Sequence, residues 1–278
     1  MSRLESRFAA LRAEGRGGLI TFVTAGDPNA GLSAEILAGL PAAGADIIEL
    51  GMPFTDPMAD GPAIELASGR ALAGGQTMIR TLAMVSEFRK SDDETPIVLM
   101  GYYNPIYAYG PEEFATDAGK AGVDGMIIVD LPPEEEAEFS GPAKKAGIDI
   151  VRLIAPTSTD ARIASLIENA SGFVYYVSVR GITGTSSAAV SDIASNVARI
   201  RKQTDLPVAV GFGIRTPDQA AEVAQVADAT VVGTAIVDQV AGGLDANGNP
   251  SADLVGNTLG YVSALAASVR TARNGGAR

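Results

Sequence analysis

The chain has 278 residues, 46% of them hydrophobic and 19% charged, which is enough apolar material for the core of one large α/β domain. A net charge of −12 argues against nucleic acid and anionic membrane as partners, and an anionic small molecule would need its charge met locally. With no cysteine and no histidine, the chain has no thiol nucleophile, disulfide, imidazole base, Ser-His-Asp triad or ordinary zinc site, so acid–base chemistry falls to Asp, Glu, Lys or Tyr.

The opening stretch, MSRLESRFAALRAEGRG, is charged and lacks the apolar segment of a signal peptide; it predicts an amphipathic helix and, with it, a cytoplasmic protein. No apolar run is long enough to span a bilayer. Short β-branched runs then recur: LITFV (19–23), DIIEL (46–50), PIVLM (96–100), GMIIVD (125–130), DIVRLI (149–154), GFVYYV (172–177), PVAVG (207–211) and ATVVG (229–233). Between them lie stretches with helical spacing, such as NAGLSAEILAGLPAAG and TPDQAAEVAQVA. Strands that are apolar throughout, rather than alternating, belong in a parallel sheet covered on both faces. Eight strand–helix units predict an α/β fold, a (β/α)8 TIM barrel with an extra N-terminal helix, over residues 1–278 as one domain. An open doubly wound sheet is the alternative. LDANGNPSAD (244–253) predicts a surface loop before a last helix, and NGGAR a frayed tail. Lys90, Lys120, Lys144, Lys145 and Lys202 all fall in helical stretches or at their ends, so no lysine closes a strand to form a Schiff base.

Barrel active sites lie at the C-terminal ends of the strands. Alternation in DIIEL puts Ile47 and Glu49 on one face and Ile48 and Leu50 on the other; with the latter pair against helices, Glu49 points into the barrel mouth. A carboxylate there is either a paired structural acid or, if desolvated, a general acid or base with a raised pKa. Asp60 follows in a Pro- and Gly-rich loop, where it serves either as the second acid of the site or as the cap of a helix starting near Pro62. Three later runs end in glycine: SVRGITGTSS (178–187), GFGIRTP (211–217) and GTAIVD (233–238). Glycine loops leading into helices can hold phosphate on backbone amides, which would let an acidic chain bind an anion without lysines. Arg180 would then assist the anion or point to solvent. Tyr102 and Tyr103, in MGYYNPIYAYG (100–110), either line an aromatic pocket or pack the loop, with Asn104-Pro105 read as a turn.

These stretches in their order, TFVTAGDP (21–28), IELGMPFTDPMADGP (48–62), MGYYNPI (100–106), VDLPPEE (129–135), LIAPTS (153–158), YYVSVRGITG (175–184), VGFGI (210–214) and VVGTAIV (231–237), resemble the α subunit of tryptophan synthase over nearly the whole chain. The resemblance implies retro-aldol cleavage of indole-3-glycerol phosphate to indole and glyceraldehyde 3-phosphate. It implies no cofactor on this chain, and a β subunit that carries PLP, receives the indole and joins the α chain in an α2β2 heterotetramer. A stand-alone lyase with the same site is the alternative. By resemblance Glu49 is the acid–base group and Asp60 holds the indole N–H. Phe22, Met100, Tyr102, Ile127, Leu153, Tyr175, Thr183, Phe212 and Val231 would surround the substrate, with Thr183 meeting Asp60 when the sixth loop closes. Gly184, Gly213, Gly233 and Thr234 would hold the phosphate. No metal is implied.

Overall fold

The computed structural model describes residues 1–178, 187–211 and 213–273. Its strands are β1 Gly18–Thr24, β2 Ile47–Gly51, β3 Ile97–Gly101, β4 Gly125–Ile128, β5 Asp149–Ile150, β6 Arg152–Ile154, β7 Val174–Val177, β8 Val208–Gly211 and β9 Ala229–Val232. Among the described residues twelve α-helices accompany them: α1 Arg3–Ala13, α2 Ala30–Ala43, α3 Pro62–Ala73, α4 Met78–Phe88, α5 Tyr103–Tyr109, α6 Pro111–Ala121, α7 Ala137–Lys145, α8 Asp160–Ile167, α9 Ser187–Arg201, α10 Pro217–Val226, α11 Thr234–Gly242 and α12 Leu254–Thr271. None of the described helices is long and apolar enough to cross a membrane.

Every strand pair is parallel, and the order runs β5-β4-β3-β2-β1-β9-β8-β7-β6. The two ends of that order, β5 and β6, are neighbours in the chain, so the sheet closes on itself through Val151 and the fold is a TIM barrel. The run DIVRLI, expected as one strand, is therefore two. Asp149 and Ile150 pair with β4, whereas Arg152 to Ile154 pair with β7. The closing segment must leave one neighbour to reach the other, and the change falls at Val151, whose N–H still donates to Met126 O at 3.0 Å.

Alternation along the strands makes two cores. Ile20, Ile47, Val98, Ile127, Tyr175, Ala209 and Val231 fill the barrel interior. Leu19, Ile48, Leu50, Leu99, Met126, Val174 and Tyr176 face the helices. The N-terminal helix α1 begins with a Ser2–Glu5 capping box and turns Leu4, Phe8 and Leu11 into the interior cluster, so it stoppers the bottom of the barrel. Three aspartates at strand starts close the same end. Asp46, Asp124 and Asp228 accept the first free N–H of a neighbouring strand, from Leu19, Ile97 and Val208, at 2.8–2.9 Å. Each also pairs with an arginine, respectively Arg16, Arg89 and Arg201. With the bottom sealed by apolar and ion-paired side chains, the opposite end is left for a ligand.

Two further expectations meet the structure here. LDANGNPSAD is a loop, pinned by one bridge between Leu244 and Pro250, ahead of α12. Asn104-Pro105 is not a turn; it lies in the first turn of α5, where a proline's missing N–H has no partner to lose. NGGAR lies outside the described residues.

Candidate active site

A cavity of about 400 Å³ opens at the C-terminal ends of the strands. Phe22 from β1, Glu49 from β2, Met100 from β3, Leu153 from β6, Tyr175 from β7 and Val231 from β9 wall it, with Asp60, Gly213, Gly233 and Thr234 from the loops and helix starts above. Ten of the expected site residues are thus brought to one space.

Glu49 sits between Phe22 and Val98 in the ladder and is 1% exposed. Among the described residues its carboxyl has no cation against it, and Oε1 has no hydrogen-bond partner. Burial alone pushes its pKa up to about 8. Among the described residues nothing makes it a salt-bridged structural acid. At neutral pH it therefore holds a proton that it can give to a molecule bound in the cavity. Tyr175, buried beside it, has its hydroxyl pushed above the ordinary tyrosine range by burial and by the Glu49 charge. Tyr175 reaches this depth because position 211 is glycine; a Cβ there would stand 2.4 Å from the tyrosine oxygen.

Asp60 does not cap α3. The cap position is Gly61, which makes no side-chain bond, so the Asp60 carboxyl is left for the cavity. Burial raises its pKa, and a hydrogen bond from the Tyr102 hydroxyl offsets only part of that rise. That hydroxyl also accepts from the Ala59 N–H at 3.0 Å. Tyr102 thus grips the loop at two successive residues. It lines a narrow side cleft with Met52, Phe54 and Pro57 rather than the main cavity. Tyr103 points away, donating to Glu138 at 2.8 Å and packing edge-on against Phe139. Tyr102→Phe is expected to lower kcat about tenfold by releasing Asp60, the scale of one hydrogen bond to a charged group. In an Asp60→Asn background the same change should cost nothing further. Equal, additive losses in both backgrounds would show that Tyr102 acts elsewhere.

The glycine loops differ in what they offer an anion. Thr216 and Gln219 form a capping box that occupies the start of α10. The start of α11 carries no side-chain cap: Gly233 precedes it, and its first turn opens on the cavity. Gly213 contributes a backbone bend at φ 75°, which favours glycine.

Ile127 belongs to the interior below the cavity and does not wall it. Thr183, Gly184 and Phe212, like Val179 and Arg180, lie outside the described residues. The cavity also uses Val129, Val177, Ile64, Ile214 and Arg215. Val129 and Val177 stand two residues beyond Ile127 and Tyr175 on the same strand face, so alternation alone identifies them. Nothing in the spacing of α3 marks Ile64.

A family profile described as tryptophan synthase alpha chain matches residues 8–261. Among solved structures, tryptophan synthase subunit alpha from Legionella pneumophila is 38% identical, with a TM-score of 0.86 and 99% of each chain covered. A chain of tryptophan synthase from Mycobacterium tuberculosis is 36% identical over 97% of this chain and 98% of its own, with a TM-score of 0.86.

Proposed function

Because the chain belongs to the tryptophan synthase alpha-chain family, lyases that cleave indole-3-glycerol phosphate, we propose that Glu49 and Asp60 carry that cleavage here. The observation that supports the assignment is the buried Glu49 carboxyl, whose Oε1 has no partner among the described residues and which is protonated at neutral pH inside a largely apolar cavity. Glu49 delivers its proton to indole C3, which places positive charge on the ring nitrogen. The Asp60 carboxylate accepts the hydrogen bond of the ring N–H and offsets that charge. The Glu49 carboxylate then takes the proton of the glycerol hydroxyl as the carbon–carbon bond breaks. The bond's electron pair restores the indole ring, the hydroxyl carbon becomes the aldehyde, and Glu49 is protonated again. One carboxyl therefore works first as acid and then as base, which a pKa near neutrality permits.

Phe22, Met100, Leu153, Tyr175 and Val231 enclose the indole, Ile127 supports them from below, and the phosphate rests on amides at Gly213, Gly233 and Thr234. Thr183, Gly184 and Phe212 complete the site by family resemblance. Chains of this family work with a beta subunit. The α2β2 assembly, the passage of indole to PLP on the partner, a cytoplasmic setting and the action of residues 1–278 as one domain belong to the same reading. A stand-alone lyase has no support from the Legionella and Mycobacterium structures, which are tryptophan synthase chains.

The pH dependence of cleavage tests the role of Glu49. Its carboxyl must be protonated to begin, so kcat/KM is expected to fall about tenfold per pH unit above about 8. A rate that climbs steadily through pH 8 and 9 would mean that an ionised Glu49 starts the reaction, against this scheme.

A further inference from the structure

Arg215 follows β8 and lines the cavity beside Gly213, Gly233 and Thr234. Among the described residues of that wall it is the one cation, against the carboxylates of Glu49 and Asp60. Its main chain is fixed: the N–H donates to Gln219 Oε1 at 2.8 Å, and the carbonyl accepts from Tyr261 Oη at 2.5 Å. Its side chain is 57% exposed and pairs with Asp238 at 2.7 Å, a carboxylate itself 40% exposed. So open an ion pair adds little and parts easily. Asp238 lies on α11, four residues beyond Thr234, so the two share a helix face about 6 Å apart. The guanidinium therefore rests within about one helical turn of the uncapped start of α11.

The geometry points to Arg215 as a phosphate-binding cation that exchanges Asp238 for the substrate's phosphate. This rests on the reading of the α11 start as the phosphate seat. Amide dipoles there supply only partial positive charge, while a phosphomonoester carries close to two negative charges. The chain's net charge of −12 opposes its entry. A guanidinium matches a phosphate with two parallel N–H···O bonds. With the backbone anchored and the side chain held in an exposed pair that parts easily, the exchange needs rotamer changes rather than backbone movement.

Steady-state cleavage of indole-3-glycerol phosphate, with glycerol 3-phosphate as inhibitor, tests the inference in Arg215→Ala, Arg215→Lys, Asp238→Asn and Gly233→Ala. Arg215→Ala should raise KM about tenfold at unchanged kcat and weaken glycerol 3-phosphate inhibition by the same factor, the scale of one charge-assisted contact. Arg215→Lys should recover part of that loss, and Asp238→Asn should bind no worse than the parent. Gly233→Ala crowds the start of α11, its Cβ standing 3.2 Å from the Phe22 Cβ of the indole wall, so its effect on the seat is read from inhibition by glycerol 3-phosphate, which carries no indole. Weaker glycerol 3-phosphate inhibition in Gly233→Ala with Arg215→Ala unchanged would overturn the role of Arg215 and keep the seat. A rise in Asp238→Asn equal to that in Arg215→Ala would overturn it too, since the pair would then be structural. No effect in either Gly233→Ala or Arg215→Ala would remove both the seat and the cation.

Discussion

Glu49→Gln is expected to lower kcat for indole release by roughly 10³–10⁴ and, at pH 8 and above, to leave the folded chain more stable than the parent. The loss of rate follows from the proton: an amide of the same shape can neither donate it to carbon nor take one back from a hydroxyl. The gain in stability follows from linkage. The folded-state pKa of about 8 lies above the ordinary 4.5, so the carboxyl's burial is tolerated fully below pH 4.5 and stability is lost as pH rises towards 8. A difference of 3.5 units, 8 minus 4.5, corresponds to about 5 kcal/mol once the group is ionised in both states. Glutamine escapes that penalty. It also gives up little bonding, since Oε1 has no partner among the described residues of the parent. Urea unfolding at pH 4.5 and pH 8.5 measures the effect. The two proteins should be nearly equal at the acid end and separate by several kcal/mol at the alkaline end. A Gln variant less stable at both pH values would mean that the carboxyl is held by interactions absent from this account.

Asp60→Asn is expected to cost roughly 10²–10³ in kcat, with KM changed only a few-fold. The asparagine side-chain oxygen can still accept the indole N–H, so ground-state binding survives. What disappears is the charge that offsets the cation formed when C3 is protonated, an interaction strongest in the transition state. Single-turnover cleavage compared with equilibrium binding of the substrate in Glu49→Gln and Asp60→Asn would separate the two effects. A KM that rises as far as kcat falls would assign Asp60 to binding instead.

The barrel was legible because the strands are mostly apolar on both faces rather than alternating, and period-two alternation alone placed Glu49 indoors. Closure at Val151 was not legible. Which neighbour a short segment bonds to depends on barrel geometry, and DIVRLI has the same residue pattern whether it pairs once or twice. Asn104-Pro105 misled because Asn-Pro suits a turn and also the first turn of a helix, and Asp130, far along the chain, caps α5 by accepting the Tyr103 N–H at 2.8 Å. The three glycine loops looked alike, yet Thr216 and Gln219, spaced as a capping box, already mark the start of α10 as occupied. Ile64 and Arg215 reach the cavity from a helix and a loop, where period-two spacing carries no information.

The most direct test of the account is the release of indole from indole-3-glycerol phosphate by the purified chain, measured with and without a tryptophan synthase beta subunit. Slow release by the chain alone and a large rise on adding the partner is the predicted result. Release that is fast and indifferent to the partner would contradict the coupling, and a folded chain that releases no indole in either case would contradict the cleavage itself.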